Sequence, residues 1–236
     1  MKTCVITGAS SGIGEAVAYR LIENKQFEHI ALLGRNENLY SLKSKHEKSG
    51  VAISVWEIDL AQPENLPSII EEIIEKTGSI DCLLNIAGYT DPQSLLATTL
   101  ENMETTYKVN VFSPFVLMRE CAKYMKNSGG KILNVASTAG MTPRPGWLSY
   151  SSSKAAVISM SQTLTDELAE YGIKVYCVSP GRCATKLRKR LAPNEDPSTI
   201  MQPDEVAEII CNLISDNENC LDGQNIVIRK QVKRNN

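Results

Sequence analysis

Short apolar runs rich in β-branched residues recur along the chain at 3–7, 29–34, 51–58, 81–85, 131–136, 174–178 and 225–229. Between them lie stretches with apolar residues at helical spacing or with helix-favouring composition, notably 13–25, 67–77, 100–126, 150–171 and 203–214. A strand followed by a helix, repeated from one end to the other, predicts crossover units and a parallel sheet. Several strand segments are apolar with little alternation, as a sheet covered on both faces requires. The expected architecture is a doubly wound α/β fold around a seven-stranded parallel sheet, forming a single domain over residues 1–236. No repeat, low-complexity block or linker interrupts the pattern. Segment 191–203, with three prolines and several polar residues, is the most loop-like stretch and is expected to act as a lid.

Composition narrows the function classes. At 236 residues and 42% hydrophobic, the chain can bury a substantial core. Its 25 basic residues stand against 27 acidic ones, so the overall field favours neither nucleic acid nor a membrane surface. No apolar run approaches the roughly 20 residues that span a bilayer. The apolar run ending at Gly8 is too short for a signal-peptide core and lacks a small-residue cleavage site, so a cytoplasmic protein is expected. The seven cysteines are odd in number, scattered and without a C-x-x-C pair, which fits reduced thiols. The two histidines, His29 and His46, do not sit at metal-ligand spacing, and no metal is expected.

The candidate chemistry begins where the first strand runs into Thr7-Gly8-Ala9-Ser10-Ser11-Gly12-Ile13-Gly14 and then into a helix. Glycines let the backbone turn tightly and approach a pyrophosphate, and the helix N-terminus offers free N–H groups. Gly8, Ser10, Ser11, Gly12, Ile13 and Gly14 are therefore expected to bind a dinucleotide. The same residues match G-x-S-x-G, a hydrolase nucleophile elbow, but no histidine follows His46 to complete a triad. The second strand ends in Gly34-Arg35-Asn36 with no acid where an NAD enzyme binds the ribose 2′-hydroxyl. Arg35 can hold a 2′-phosphate with two charge-assisted bonds, which favours NADP, as NADPH rather than NADH. Asp59, ending the third strand, is placed near the adenine.

Tyr150 and Lys154 stand four residues apart and share a face if they open a helix. A tyrosine acting as a base near neutral pH needs its pKa lowered by about 3 units, or about 4 kcal/mol, which nearby positive charge can supply. Ser137 ends a strand shortly before, where its hydroxyl could hold a substrate oxygen. Asn85-Ile86-Ala87-Gly88 follows the fourth strand and can pass beside the cofactor. Asn110 falls inside a long helical stretch, where burial demands hydrogen-bond partners.

Taken in order, the TGASSGIG turn, Asp59-Leu60, the NIAG turn, Asn110, Ser137, Tyr150, Lys154 and Pro180-Gly181 resemble the short-chain dehydrogenase/reductase family over essentially the whole chain. The resemblance, to short single-domain members such as the oxoacyl carrier-protein reductases, implies a Rossmann fold. It implies that Tyr150 is the general acid/base, that Lys154 lowers its pKa and holds the nicotinamide ribose, that Ser137 orients a carbonyl and that Asn110 holds a water in a proton relay. It also implies that Leu60, Asn85, Ala87, Gly88, Pro180, Gly181, Cys183 and Thr185 line the cofactor site, and that a homodimer or homotetramer forms through segments 100–126 and 150–171. Two departures stand out: Ile86 replaces an asparagine of the family pattern, and no Gly-Gly follows the last strand.

A small-molecule carbonyl or alcohol is the expected substrate. Segment 138–149, mostly apolar but carrying Arg144, should wall its pocket. The basic residues Arg182, Lys186, Arg188, Lys189 and Arg190 extend the expectation to anionic substrates. Two alternatives remain on the same fold: an NAD-dependent alcohol dehydrogenase and a dinucleotide-sensing regulator without turnover. Epimerases and dehydratases with a larger C-terminal substrate domain are disfavoured, because only about 50 residues follow Thr185.

Overall fold

The computed structural model describes residues 1–35 and 37–230, so Asn36 of the Gly34-Arg35-Asn36 stretch lies outside the described residues. The chain alternates strand and helix: β1 (Thr3–Thr7), α1 (Gly12–Glu23), β2 (His29–Gly34), α2 (Asn38–Lys45), β3 (Ala52–Glu57), α3 (Leu66–Thr77) and β4 (Cys82–Asn85). It continues with α4 (Leu100–Tyr107), α5 (Ser113–Met125), β5 (Gly130–Val135), α6 (Leu148–Ala169), β6 (Ile173–Pro180), α7 (Lys186–Leu191), α8 (Pro203–Leu213) and β7 (Asn225–Ile228). All seven strands pair in parallel, in the order β3-β2-β1-β4-β5-β6-β7.

Alternate residues of each strand feed opposite faces of the sheet. In β1, Cys4 and Ile6 pack with Val17, Leu21, Val206 and Ile210, from α1 and α8. Val5 packs on the other side with Ile70, Ile73, Leu117 and Cys121, from α3 and α5. Every residue of β1 is buried, which explains why its apolar centre, Cys4-Val5-Ile6, shows no alternation. Strand order reverses beside β1, which pairs with β2 on one edge and β4 on the other. In an open parallel sheet, such a switch point leaves a crevice at the carboxyl ends of the strands.

One expected helix is interrupted. Segment 100–126 forms α4 and α5 joined by a π-turn at Lys108–Phe112. Pro114 has no N–H, so it cannot donate to the Asn110 carbonyl four residues back. The helix widens there, and the Ser113 N–H bonds to Lys108 O, five residues back. Such single π-turns recur where helices carry functional residues. Among the described residues, no helix is long and apolar enough to cross a membrane.

Candidate active site

The carboxyl ends of β1, β2, β4, β5 and β6 open onto one cleft of about 620 Å³. That lies within the range of small-molecule and cofactor sites. The glycine turn after β1 forms its floor. A Cβ on Gly14 would stand 2.3 Å from the carbonyl oxygen of Gly8, so α1 can leave the turn this closely only with glycine there. Ser11 is the N-cap of α1 and its side chain makes no capping bond, so the first-turn N–H groups of the helix remain available to an anion. Gly8, Ser10, Ser11, Gly12, Ile13 and Gly14 all line the cleft.

The neighbouring turn is tied to this one by Thr7. Its Oγ1 accepts from the N–H groups of Ile86 and Ala87 at 3.1 and 3.2 Å, and donates to Leu84 O at 3.4 Å. Sequence inspection missed this positioning role, because the pattern does not reveal that β1 pairs with β4. Ala87 and Gly88 line the cleft. Asn85 does not: it is buried beneath the cleft, and its Nδ2 donates to Asn134 Oδ1 at 2.9 Å.

At the rim of β2, Arg35 Nη1 donates to Asp59 Oδ1 at 3.2 Å. The arginine side chain is 69% exposed and free to turn toward a ligand. Asp59 Oδ1 also accepts from Ala61 N, which fixes the carboxylate at the end of β3. Leu60, Pro180, Gly181, Cys183 and Thr185 complete the predicted lining. Thr185 caps α7, accepting from Arg188 N at 3.0 Å.

Tyr150 and Lys154 lie one turn apart on α6, facing Ser137 at the end of β5. A Cβ on Gly140 would lie 2.7 Å from the carbonyl carbon of Lys154. The 3-10 turn Thr138–Gly140 therefore packs directly on the backbone of α6, and this contact holds Ser137 beside Tyr150. The Ser137 hydroxyl stands beside the phenol on the cleft wall and accepts from Ala139 N at 3.1 Å. Lys154 Nζ donates to Val135 O at 2.8 Å and lies 6.0 Å from the centre of the Tyr150 ring.

Asn110, fully buried in the π-turn, sits behind the cleft and does not line it. Its Oδ1 accepts from Tyr89 N at 2.8 Å, and its Nδ2 donates to Tyr89 O and to Ser153 Oγ, each at 2.9 Å. Ser153 in turn donates to Tyr150 O at 2.8 Å. Asn110 and Ser153 thus clamp the turn after β4 against the start of α6. The part played by Ser153 has no signal in the sequence beyond its place in a serine run.

Burial sets the electrostatics. It pushes the Tyr150 phenol above its ordinary pKa, with Ser137 and the Arg188 guanidinium pulling the other way. It pushes the Lys154 ammonium down to about 8. In the free chain Tyr150 is therefore a protonated acid, the form that donates a proton. The basic run divides: Arg182, Lys186 and Arg188 line the cleft, whereas Lys189 and Arg190 do not. Arg188 is bound by Glu195, whose carboxylate it holds below its usual pKa.

A family model described as short chain dehydrogenase matches residues 2–196. The 3-oxoacyl-[acyl-carrier-protein] reductase of Thermotoga maritima is 33% identical over 237 residues, covering 96% of each chain. A short chain dehydrogenase from Burkholderia cenocepacia, solved in complex with NADP, superposes with a TM-score of 0.87 at 26% identity over 96% of both chains. An NAD+-bound xylitol dehydrogenase superposes with a TM-score of 0.85 at 26% identity, covering 97% of each chain.

Proposed function

The chain belongs to the short chain dehydrogenase family of NAD(P)-dependent oxidoreductases, and from that premise we propose that it uses NADPH to reduce the carbonyl group of a small molecule to an alcohol, with Tyr150 as proton donor. The observation that carries this reading is convergence: the glycine turn, Ser137, and the Tyr150–Lys154 pair of α6 open onto one cleft from three separate segments. The residues fit a dinucleotide, because Gly8 and Gly14 let the turn pack against Ala87 and upon itself while the first-turn N–H groups of α1 stay uncapped for a pyrophosphate. When bound, the nicotinamide supplies the hydride.

The chain's own residues do the rest. Ser137 donates a hydrogen bond to the carbonyl oxygen and fixes its distance from Tyr150. Tyr150 delivers its proton to that oxygen as negative charge develops there, and its raised pKa keeps the proton in place until then. Lys154, anchored by Val135 O and lining the cleft, has N–H bonds left with which it would hold the nicotinamide ribose. Asn110 and Ser153 keep α6 in register with the turn after β4. Arg35 favours NADP by pairing with a 2′-phosphate. The reading with NAD draws on one observation: Asp59 already engages Arg35 and could accept from a ribose hydroxyl.

Self-association through α4, α5 and α6 is part of the proposal. Leu100, Phe112, Phe115 and Tyr124 are exposed on or between α4 and α5. The test of function is fluorescence titration with NADPH and NADH, followed by a screen of cofactor oxidation over a carbonyl panel. Tight NADPH binding with turnover is expected. Weak binding of both cofactors would overturn the nucleotide site, and tight binding without turnover on any carbonyl would favour a sensor.

A further inference from the structure

Among the described residues, eight basic side chains line the cleft against a single acidic one, Asp59, in a chain whose net charge is −2. Phosphates of a dinucleotide account for charge beside α1 and β2. They do not account for Arg144 and Arg188, which wall the cleft with Trp147 near Tyr150. The two guanidinium carbons lie 5.5 and 5.7 Å from the centre of the Trp147 ring. Contact with an aromatic ring orients a guanidinium and leaves its N–H edge free for planar anions.

Arg188 is the more firmly held of the two. Its side chain is 14% exposed, and its Nε and Nη2 donate to the two carboxylate oxygens of Glu195 at 2.6 and 2.8 Å. Arg182 Nη1 reaches the same carboxylate at 3.4 Å. Glu195 comes from the segment between α7 and α8, so a carboxylate borne by the chain itself already occupies an arginine fork on the substrate wall. A part-buried guanidinium left without a partner is costly. Exchange of one carboxylate for another avoids that cost, whereas a neutral ligand leaves Glu195 in place.

We propose that Arg188 and Arg144, set against Trp147, form a carboxylate-binding subsite, and that the substrate is an oxo acid whose carboxylate takes the place of Glu195. The proposal rests on the carbonyl-reductase reading and names its substrate class. It selects among acids by the distance between ketone and carboxylate, because Tyr150 fixes one end and the fork the other. The Coulombic pull of Arg188 on the Tyr150 phenol agrees with the two groups sharing one pocket.

The test compares straight-chain oxo acids, with the ketone two to five bonds from the carboxylate, against their methyl esters. Each pair is assayed with NADPH for kcat/KM, and with the NADP+-loaded protein for affinity by calorimetry. At least one acid should exceed its ester by about tenfold or more, the scale of one charge-assisted pair. Arg188→Gln and Arg144→Gln should each cut that acid-to-ester ratio severalfold, and Glu195→Gln should raise it by removing the internal competitor. A ratio near one across the series would overturn the subsite. So would a ratio that survives both arginine replacements, or one that falls in Glu195→Gln. The calorimetric arm needs no hydride transfer, so an acid preference without NADPH consumption would sink the reductase reading and keep the subsite. Turnover without an acid preference would do the reverse.

Discussion

Replacing Arg35 with alanine should separate NADPH from NADH. The side chain is 69% exposed and, among the described residues, makes one ion pair, at 3.2 Å, to a carboxylate that is itself 33% exposed. A hydrogen bond between charged groups contributes about 1.5–3 kcal/mol, and exposure places this one at the lower end. Loss of about 1.5 kcal/mol weakens NADPH roughly tenfold. NADH, with a hydroxyl in place of the phosphate, should change by less than about twofold, within the small effect of an ordinary surface substitution. Because the pair is exposed, added salt should weaken NADPH binding to the unaltered chain more than to Arg35→Ala. Asp59→Asn should act in the opposite direction, tightening NADPH by freeing Arg35 and removing a repelling charge. Fluorescence titration of both cofactors at two salt concentrations reads all of this. An equal loss for both cofactors would mean that Arg35 serves the loop and not the phosphate, and no loss for either would make it a solvated charge.

Two further outcomes follow from the geometry around α6. Burial lowers Lys154 from 10.5 to about 8, so at 1.36 kcal/mol per tenfold the ammonium costs about 3 kcal/mol at neutral pH. Between those values the unfolded chain binds the extra proton, so stability rises with pH across that window; the rise should be missing from Lys154→Met in denaturant titrations, and an unchanged slope would refute it. Gly140→Ala forces the Ser137 turn away from α6, where its Cβ would meet the Lys154 carbonyl carbon at 2.7 Å. Turnover should fall up to about a hundredfold with NADPH affinity retained, the effect of misplacing groups by about 1 Å, and unaltered kcat would show that the turn does not set the Ser137–Tyr150 distance.

The strands are legible in the sequence because a doubly covered sheet needs unbroken apolar runs, as β1 shows with every residue buried. The glycine turn is legible because close backbone packing leaves glycine as the residue that fits. Strand order is not written locally. The work of Thr7 depends on β4 lying beside β1, and no pattern within either strand states that pairing. The broken helix carries a visible cue in Pro114, but the apolar spacing runs straight through it. Asn110 is correctly singled out as a polar residue needing partners, yet those partners, Tyr89 and Ser153, come from distant segments. The basic run after Thr185 reads as one block. The fold splits it, because α7 turns Lys186 and Arg188 to the cleft and Lys189 and Arg190 away. Glu195 pairs with Arg188 across the end of α7, a contact that the loop-like composition of 191–203 hides.

The measurement that bears most directly on the account is a comparison of Tyr150→Phe with the unaltered chain, using the carbonyl compound that the panel yields. NADPH affinity and the rate of NADPH consumption are read in the same preparation. Phenylalanine keeps the ring and the packing of α6 while removing the one group assigned to deliver a proton. Affinity within about twofold and a rate lowered by a factor of about 10²–10⁴, the usual contribution of a general acid, are predicted. Undiminished turnover in Tyr150→Phe would contradict the central claim.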